Sequence, residues 1–304
     1  NKYFEVRKMI NTLIWRLKEA WGVIIGKKIT QKKFIKSSFP EISVDTQPLY
    51  QFKDPQLETY IKSKKIEFVF SEFNENRVNA GGSEFSLGSR LDPSLSSLRK
   101  FFPDAQYTVY SDFDLNIEGV QLKKVENPVL QDKTDHPRHF YHLADYYKFK
   151  GMLDSDADIV VSIDSDMFVW SENIYRLIYL TEKFGYCVPS SSGRSMNFEV
   201  ENQLDTISIT DESNGLGINC NITPMSLSKN SDAGRKYYEM CCQKLEEEPS
   251  RASIAMWKAA WETGLIPYFL PKEFCVVRGL EGMGHEVLLH IGHPEVAKYY
   301  NIKI

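Results

Sequence analysis

An apolar run that ends in two acidic residues constrains the fold of this chain more than any other feature. Residues 159–163 read Ile-Val-Val-Ser-Ile, and Asp164-Ser165-Asp166 follows directly. A short run of β-branched residues is typical of a strand that is buried on both faces of a parallel sheet. Acidic residues at the end of such a strand lie at the carboxyl edge of the sheet, where open α/β folds bind ligands. The feature therefore predicts an α/β fold with a ligand site at that edge.

Segments with strand-like and helix-like patterns alternate along the rest of the chain. The predicted strands are 66–70, 106–110, 120–125, 159–163 and 185–189. The predicted helices are 93–102, 138–153, 171–184 and 250–263. Ser171 is the expected N-cap of the third helix. This alternation predicts a single large α/β domain, in which a Rossmann-type mixed sheet is flanked by helices.

Composition excludes several classes of protein. The net charge of −4 over 304 residues gives no overall field that would attract nucleic acid. No run approaches the ~20 apolar residues of a membrane span. The five cysteines form no C-x-x-C pair, which predicts reduced thiols and a cytoplasmic location. No G-x-G-x-x-G or P-loop motif occurs, which disfavours dinucleotide enzymes and P-loop NTPases.

The first 36 residues differ in charge from the rest of the chain. They hold ten Lys or Arg against two Glu, a net charge of +8, so the remainder carries −12. Apolar residues recur at helical spacing in this segment: Ile10, Leu13, Ile14, Leu17, Trp21, Ile24 and Ile25. We predict a basic amphipathic helical arm and linker over 1–55 and a main domain over 56–304.

Two interpretations of this arm stay open. In the first interpretation, the apolar stripe of the arm packs on the main domain or on a second copy in a homodimer. Alternatively, the basic helix lies on an anionic membrane, as a peripheral contact at the inner face of that membrane.

The acidic pair predicts a site for a divalent cation. Asp164 and Asp166 would supply two carboxylate oxygens at a strand end, which suits Mg²⁺ or Mn²⁺ with substrate phosphates completing the shell. The chemistry served would be departure of a diphosphate, whose growing charge the cation neutralises. The alternative is structural, because acidic residues after a strand often cap the next helix.

Two other acidic motifs fail on their spacing. A phosphatase of the haloacid dehalogenase type would need Thr or Val at the fifth position of its D-x-D motif, where this chain has Phe168. Residues 154–158 imitate the start of an EF-hand loop, but Ile159 replaces its glycine and Ser165 its glutamate. We interpret 154–158 as a solvated turn.

The chain resembles the nucleotide-sugar-dependent glycosyltransferases of the GT-A fold, most nearly the family 8-like and related bacterial or viral enzymes. The segments that carry the resemblance are 66–74, 98–112, 141–148, 164–166, 216–223 and 288–293. The resemblance implies a metal-dependent transferase that moves a sugar from a nucleotide-diphosphate donor, a UDP-sugar, to a glycan or lipid-linked glycan. Because no inverting base is evident, we favour retention of configuration.

The resemblance also implies roles for individual residues. The metal ligands are Asp164, Asp166 and His290. The catalytic residues are Asp164, Asp166, Lys148 and Asp145. The donor contacts are Phe70, Ser71, Asn74, Asp145, Lys148, Ser165 and Gly292. The acceptor contacts are Asn219 and Asn221.

Alternatives remain at the level of residues and of function. Asp145 and Lys148 share one helix face and would also suit a surface ion pair, and His142 would suit a helix-surface residue. The asparagines at 219 and 221 would also suit turn chemistry. A sugar-phosphate nucleotidyltransferase uses similar carboxylates, but its basic glycine-rich loop is not evident here. A non-catalytic binding or scaffold protein of the same fold is the second alternative.

Overall fold

The computed structural model describes residues 54–73, 87–126, 128–129, 139–195 and 218–302. The predicted arm therefore lies outside the described residues up to residue 53, and its helix and its contacts stay predictions. No helix in the described part of the chain is long and apolar enough to cross a membrane.

Helices and strands alternate through the described residues. The helices are α1 (Pro55–Lys62), α2 (Leu87–Phe101), α3 (His139–Leu153), α4 (Tyr175–Phe184), α5 (Asp232–Glu247), α6 (Ala252–Thr263) and α7 (Pro294–Tyr299). The strands are β1 (Ile66–Glu72), β2 (Gln106–Ser111), β3 (Gln121–Lys124), β4 (Ile159–Ser162), β5 (Met167–Val169), β6 (Tyr186–Ser195), β7 (Ile218–Cys220), β8 (Met225–Ser228), β9 (Tyr268–Leu270) and β10 (Leu288–His290).

The main sheet is mixed, as predicted. Its order is β3-β2-β1-β4-β8-β6-β7, and β9 pairs with β6. β1 runs parallel to β2 and β4, whereas β8 runs antiparallel to β4 and β6. Helices cover both faces, so the predicted three-layer α/β class is confirmed.

A second, two-stranded sheet was not predicted. β5 pairs antiparallel with β10, and Met167 lies opposite His290. Both strands have only three residues, too few to show a period in the sequence. This small sheet joins the segment after β4 to a segment more than a hundred residues later.

One helix cap differs from the prediction. Ser171 precedes a short 3₁₀ turn, Glu172–Ile174, and its side chain makes no capping hydrogen bond. Its hydroxyl instead donates to the backbone oxygen of Glu286 at 2.8 Å. Ser171 thus supplies the donor that the buried backbone oxygen of Glu286 needs. This bond links the segment before α4 to the segment before β10.

The buried core lies on the two faces of the sheet. On one face, α3, α5 and α6 pack against side chains that include Val69, Val160 and Leu227. On the other face, α1, α2 and α4 pack against side chains that include Phe68 and Val161. Adjacent residues of β1 and β4 thus enter opposite layers, which explains why these strands are apolar without interruption.

α3 packs unusually close to the sheet and is buried around its middle. A Cβ atom on Gly151 would lie 2.5 Å from Cγ1 of Val69, so only glycine fits at this contact. Residues 142–149 are all buried, and His142 is 1% exposed rather than a helix-surface residue. The close packing brings the polar residues of α3 to the carboxyl edge of the sheet.

Candidate metal centre

The acidic pair lies in the connection between β4 and β5. β1 and β4 are parallel, with Val69 opposite Ser162, so both strands end at the same edge. Beyond β4 the chain turns, and the backbone amide of Met167 donates to the backbone oxygen of Asp164 at 3.1 Å. Ser165 between the two aspartates is buried. The sequence prediction that both aspartates lie at the carboxyl edge is consistent with this geometry.

The small sheet delivers His290 to the same place. His290 ends β10, and the amide of Ile291 donates to the backbone oxygen of Asp166 at 2.8 Å. The imidazole Nε2 then lies 3.1 Å from Oδ1 of Asp166. Backbone hydrogen bonds alone therefore place His290 beside Asp166.

The three predicted ligands form a cluster with the dimensions of a metal site. One ligand atom from each of Asp164, Asp166 and His290 lies within 4.8 Å of the others. Ligands on opposite sides of an Mg²⁺ ion lie about 4.2 Å apart, twice a bond of about 2.1 Å. Two carboxylates with one imidazole suit Mn²⁺ in particular, because that ion accepts both oxygen and nitrogen donors. The residues present therefore fit a divalent cation.

A glycine makes room for one of these carboxylates. A Cβ atom on Gly292 would lie 1.8 Å from Oδ2 of Asp166. No side chain fits there unless the carboxylate moves. Gly292 was predicted as a donor contact; the structure shows that it provides space for Asp166.

A lysine from α3 bridges two aspartates at this edge. Nζ of Lys148 lies 2.6 Å from Oδ1 of Asp164 and 3.2 Å from Oδ1 of Asp145. Oδ2 of Asp145 accepts from the amide of Ala252, at the N-terminus of α6. Asp145 and Lys148 are each 6% exposed, so the alternative of a surface ion pair is wrong.

Burial and pairing set the charges of these groups. Burial raises the pKa of Asp145 above 3.8, and the charge of Lys148 only partly opposes this. Burial would lower the pKa of Lys148, but the charges of Asp164 and Asp145 outweigh it and raise the pKa above 10.5. Burial likewise acts against ionised Asp164, yet Lys148 lowers its pKa below 3.8. Lys148 and Asp164 are therefore both charged at neutral pH.

The surroundings of the His290 imidazole favour its protonated form. Burial would lower its pKa, but the carboxylate of Asp166 outweighs burial and raises the pKa well above 6.5. A hydrogen bond with the thiol of Cys275 acts in the same direction on this pKa. Metal ligation needs neutral imidazole, so cation binding here would release that proton.

Thr223 is a contact that sequence reasoning missed. Its hydroxyl donates to Oδ2 of Asp164 at 2.5 Å, and its side chain is 3% exposed. In the sequence it stands out only as the end of an Asn-Ile-Thr triplet. Nothing local signals the contact, because Asp164 lies 59 residues earlier.

The remaining predicted contacts with the donor and the acceptor have different outcomes. The side chain of Phe70 is fully buried in the core, which leaves its ring no surface for a nucleotide base. Ser71, one residue later at the end of β1, has a buried hydroxyl without a hydrogen-bond partner among the described residues. Asn74 and the side chain of Asn219 lie outside the described residues. Asn221 is partly buried, and its side-chain Nδ2 donates to the backbone oxygen of Ser190 at 3.4 Å.

Comparison with solved structures finds glycosyltransferases. The chain is similar to the galactosyltransferase LgtC in complex with donor and acceptor sugar analogues, with 12% identity, a TM-score of 0.45, and 78% of this chain and 97% of that chain covered. An active-site mutant of LgtC matches with 14% identity, a TM-score of 0.45, and 74% and 86% covered. Mouse xyloside xylosyltransferase 1 in its apo form matches with 13% identity, a TM-score of 0.41, and 74% and 96% covered.

These proteins belong to the class of enzyme that the sequence resembles. No family model matches the chain, and no curated protein sequence matches it.

Proposed function

We propose that this chain is a metal-dependent glycosyltransferase, which moves a sugar from a nucleoside-diphosphate donor to a hydroxyl group of a glycan or lipid-linked glycan. The observation that carries the proposal is the cluster of Asp164, Asp166 and His290 at the carboxyl edge of the sheet. Such a cluster leaves part of a cation's coordination shell for the phosphate oxygens of a substrate.

The charge balance of the site supports a divalent cation. Asp145, Asp164 and Asp166 supply three carboxylates, and Lys148 is the cation paired with two of them. With His290 neutral as a ligand and all three carboxylates ionised, these groups would carry two negative charges in excess. One Mn²⁺ or Mg²⁺ ion would balance that excess.

The chain's own residues would then hold and orient a diphosphate. When bound, a divalent cation neutralises the charge that develops on the departing diphosphate. Lys148 adds a second positive charge at the same edge. Asp145 and Asp164 hold its ammonium group in place, so little reorganisation is needed when a donor binds.

The donor would extend from the cation toward the end of β1. Ser71 lies at that end, and its buried hydroxyl lacks a partner among the described residues, as expected for a group that awaits a ligand. Ser165 lies between the aspartates and is a second donor contact in this proposal. Asn74, Asn219 and Asn221 keep their proposed roles toward the donor and the acceptor.

We name a UDP-sugar as the donor on the sequence resemblance alone. For the stereochemical course, Asp145 is informative, because both of its carboxylate oxygens are engaged by Lys148 and by the amide of Ala252. A carboxylate held in this way is poorly placed to accept a proton from an acceptor hydroxyl. Asp145 therefore does not stand out as an inverting base, and retention of configuration stays the proposed course.

A thermal-shift panel tests the donor class. UDP-, GDP-, CMP- and dTDP-sugars are each added with and without Mn²⁺. We expect one carrier to raise the melting temperature only when Mn²⁺ is present, because a ligand at 100 times its Kd adds about 2.7 kcal/mol of stability. If no donor shifts the melting temperature with metal present, the scaffold alternative becomes the better explanation.

A matched pair of variants tests the cation site itself. Asp166→Asn should abolish metal-dependent turnover, measured as release of the nucleoside diphosphate, with a melting temperature close to wild type. Asp156→Asn is the control, because Asp156 pairs with Lys65 in an exposed turn before β4. Turnover by Asp166→Asn at the level of the control would refute the assignment of Asp166 as a ligand.

A further inference from the structure

We infer that Thr223 is a positioning residue that holds the Asp164 carboxylate in the orientation needed for cation binding; the inference rests on the function proposed above. Its hydroxyl donates to Oδ2 of Asp164 at 2.5 Å. A short bond from a neutral hydroxyl to a carboxylate is among the stronger hydrogen bonds in proteins. Because Thr223 is 3% exposed, water cannot readily replace it.

Thr223 and Lys148 act on opposite oxygens of the same carboxylate. Lys148 Nζ lies 2.6 Å from Oδ1 of Asp164, and the hydroxyl of Thr223 donates a hydrogen bond to Oδ2. Two fixed donors define the plane of the carboxylate, whereas one donor would leave it free to rotate. Each oxygen has two lone pairs, so each retains one for a cation. Asp164 is thus oriented without being blocked.

The segment that carries Thr223 reaches the other side of the cluster as well. Asn221 donates from Nδ2 to Sγ of Cys275, with 3.6 Å between the two atoms. The residue after Cys275, Val276, accepts a backbone hydrogen bond from the amide of His290 at 2.9 Å. The stretch 221–223 therefore contacts Asp164 directly and also contacts the segment 275–276, which holds the backbone of His290. This is the arrangement of an outer support for metal ligands.

The size of the expected effect follows from other metal sites. Loss of a group that orients a metal ligand commonly weakens metal affinity or activity by about 10-fold to 100-fold. Thr223→Val removes the hydroxyl and keeps the branched shape of the side chain. Thr223→Ser keeps the hydroxyl and loses only a methyl group. The two variants together separate the hydrogen bond from packing.

The experiment measures Mn²⁺ affinity of the full chain without donor, by titration followed with electron paramagnetic resonance. Thr181→Val is the matched control, because Thr181 is also buried and its hydroxyl lies 2.6 Å from that of Ser226. Thr181→Val removes two buried hydrogen bonds, one with Ser226 and one to the backbone oxygen of Leu177 at 2.7 Å, so it disturbs packing at least as much as Thr223→Val does. The melting temperatures of both variants are recorded. Only Thr223→Val changes a group next to the cluster.

We expect Thr223→Val to weaken Mn²⁺ binding by about 10-fold to 100-fold. Thr223→Ser and Thr181→Val should stay within about threefold of wild type, well below that range. Wild-type affinity in Thr223→Val, or an equal loss in Thr223→Ser, overturns the positioning role while the proposed function stands. Failure of the wild-type chain to bind Mn²⁺ overturns both.

Discussion

Replacing Gly292 by alanine should disable the candidate metal centre without unfolding the protein. The new Cβ atom would lie 1.8 Å from Oδ2 of Asp166, whereas ordinary contacts begin at 3.4 Å. The backbone of Gly292 is outside the left-handed region that favours glycine, so alanine adds no backbone strain. The carboxylate of Asp166 is the group that can give way, because it is the far end of a side chain, although moving it disturbs its contact with His290.

The size of the displacement follows from these distances. Oδ2 must move by at least 1.6 Å to restore a 3.4 Å contact. This is most of the ~2.1 Å length of a bond between oxygen and a small divalent cation. A misplacement of about 1 Å costs about 100-fold in rate, or about 2.7 kcal/mol of barrier height. We therefore expect at least a 100-fold loss of Mn²⁺-dependent turnover, with the melting temperature nearly unchanged.

Gly264→Ala is the control, because it should lower stability and leave the candidate metal centre unchanged. Gly264 has φ of +68°, and the space that a Cβ atom would occupy there is open, so its alanine variant should lose about 1 kcal/mol of stability through backbone strain alone. Mn²⁺ titration, product release and thermal unfolding are measured on both variants. Mn²⁺ affinity and turnover like wild type in Gly292→Ala would refute the claim that this glycine shapes the site.

Three other predictions address stability and the arm. Lys148→Met should lower the free energy of unfolding by about 3–5 kcal/mol in urea, because it leaves buried Asp145 and partly buried Asp164 without their cation. Adding Asp145→Asn should recover part of this loss, and a loss under about 1 kcal/mol would contradict the buried pair. Gly151→Ala should cost about 1–3 kcal/mol by pushing α3 off Val69, measured by thermal unfolding, and a neutral result would show that the helix can shift freely. Deleting 1–36 should abolish sedimentation with anionic liposomes if the arm lies on membranes, whereas loss of a dimer in size-exclusion chromatography would favour the packing interpretation.

Local sequence patterns predicted the features that depend on local chemistry. The apolar run at 159–163 was long enough to identify a buried strand, and parallel strands fix where the following carboxylates point. For that reason Asp164 and Asp166 could be placed at the sheet edge from sequence. His290 was named through the family resemblance, since nothing around it shows which residue it would meet.

Those local patterns could not predict contacts between residues that are far apart in the sequence. The contact of Thr223 with Asp164 depends on β8 lying next to β4, and that antiparallel neighbour has only four residues. Lys148 and Asp145 were expected on one helix face, but their burial depends on how closely α3 approaches the sheet. That approach is set by the absence of a side chain at Gly151, whose effect shows only when its partner Val69 is known.

The pairing of β5 with β10 has a consequence for how the protein is made. Asp166 and His290 are brought together by a ladder whose second strand is residues 288–290. A domain generally folds as a unit once its parts have left the ribosome. The last strand of the main sheet, β9, ends at Leu270, but the three-residue cluster cannot exist until residue 290 has emerged. A polypeptide that stops just before that point contains every strand of the main sheet and lacks one of the three proposed ligands.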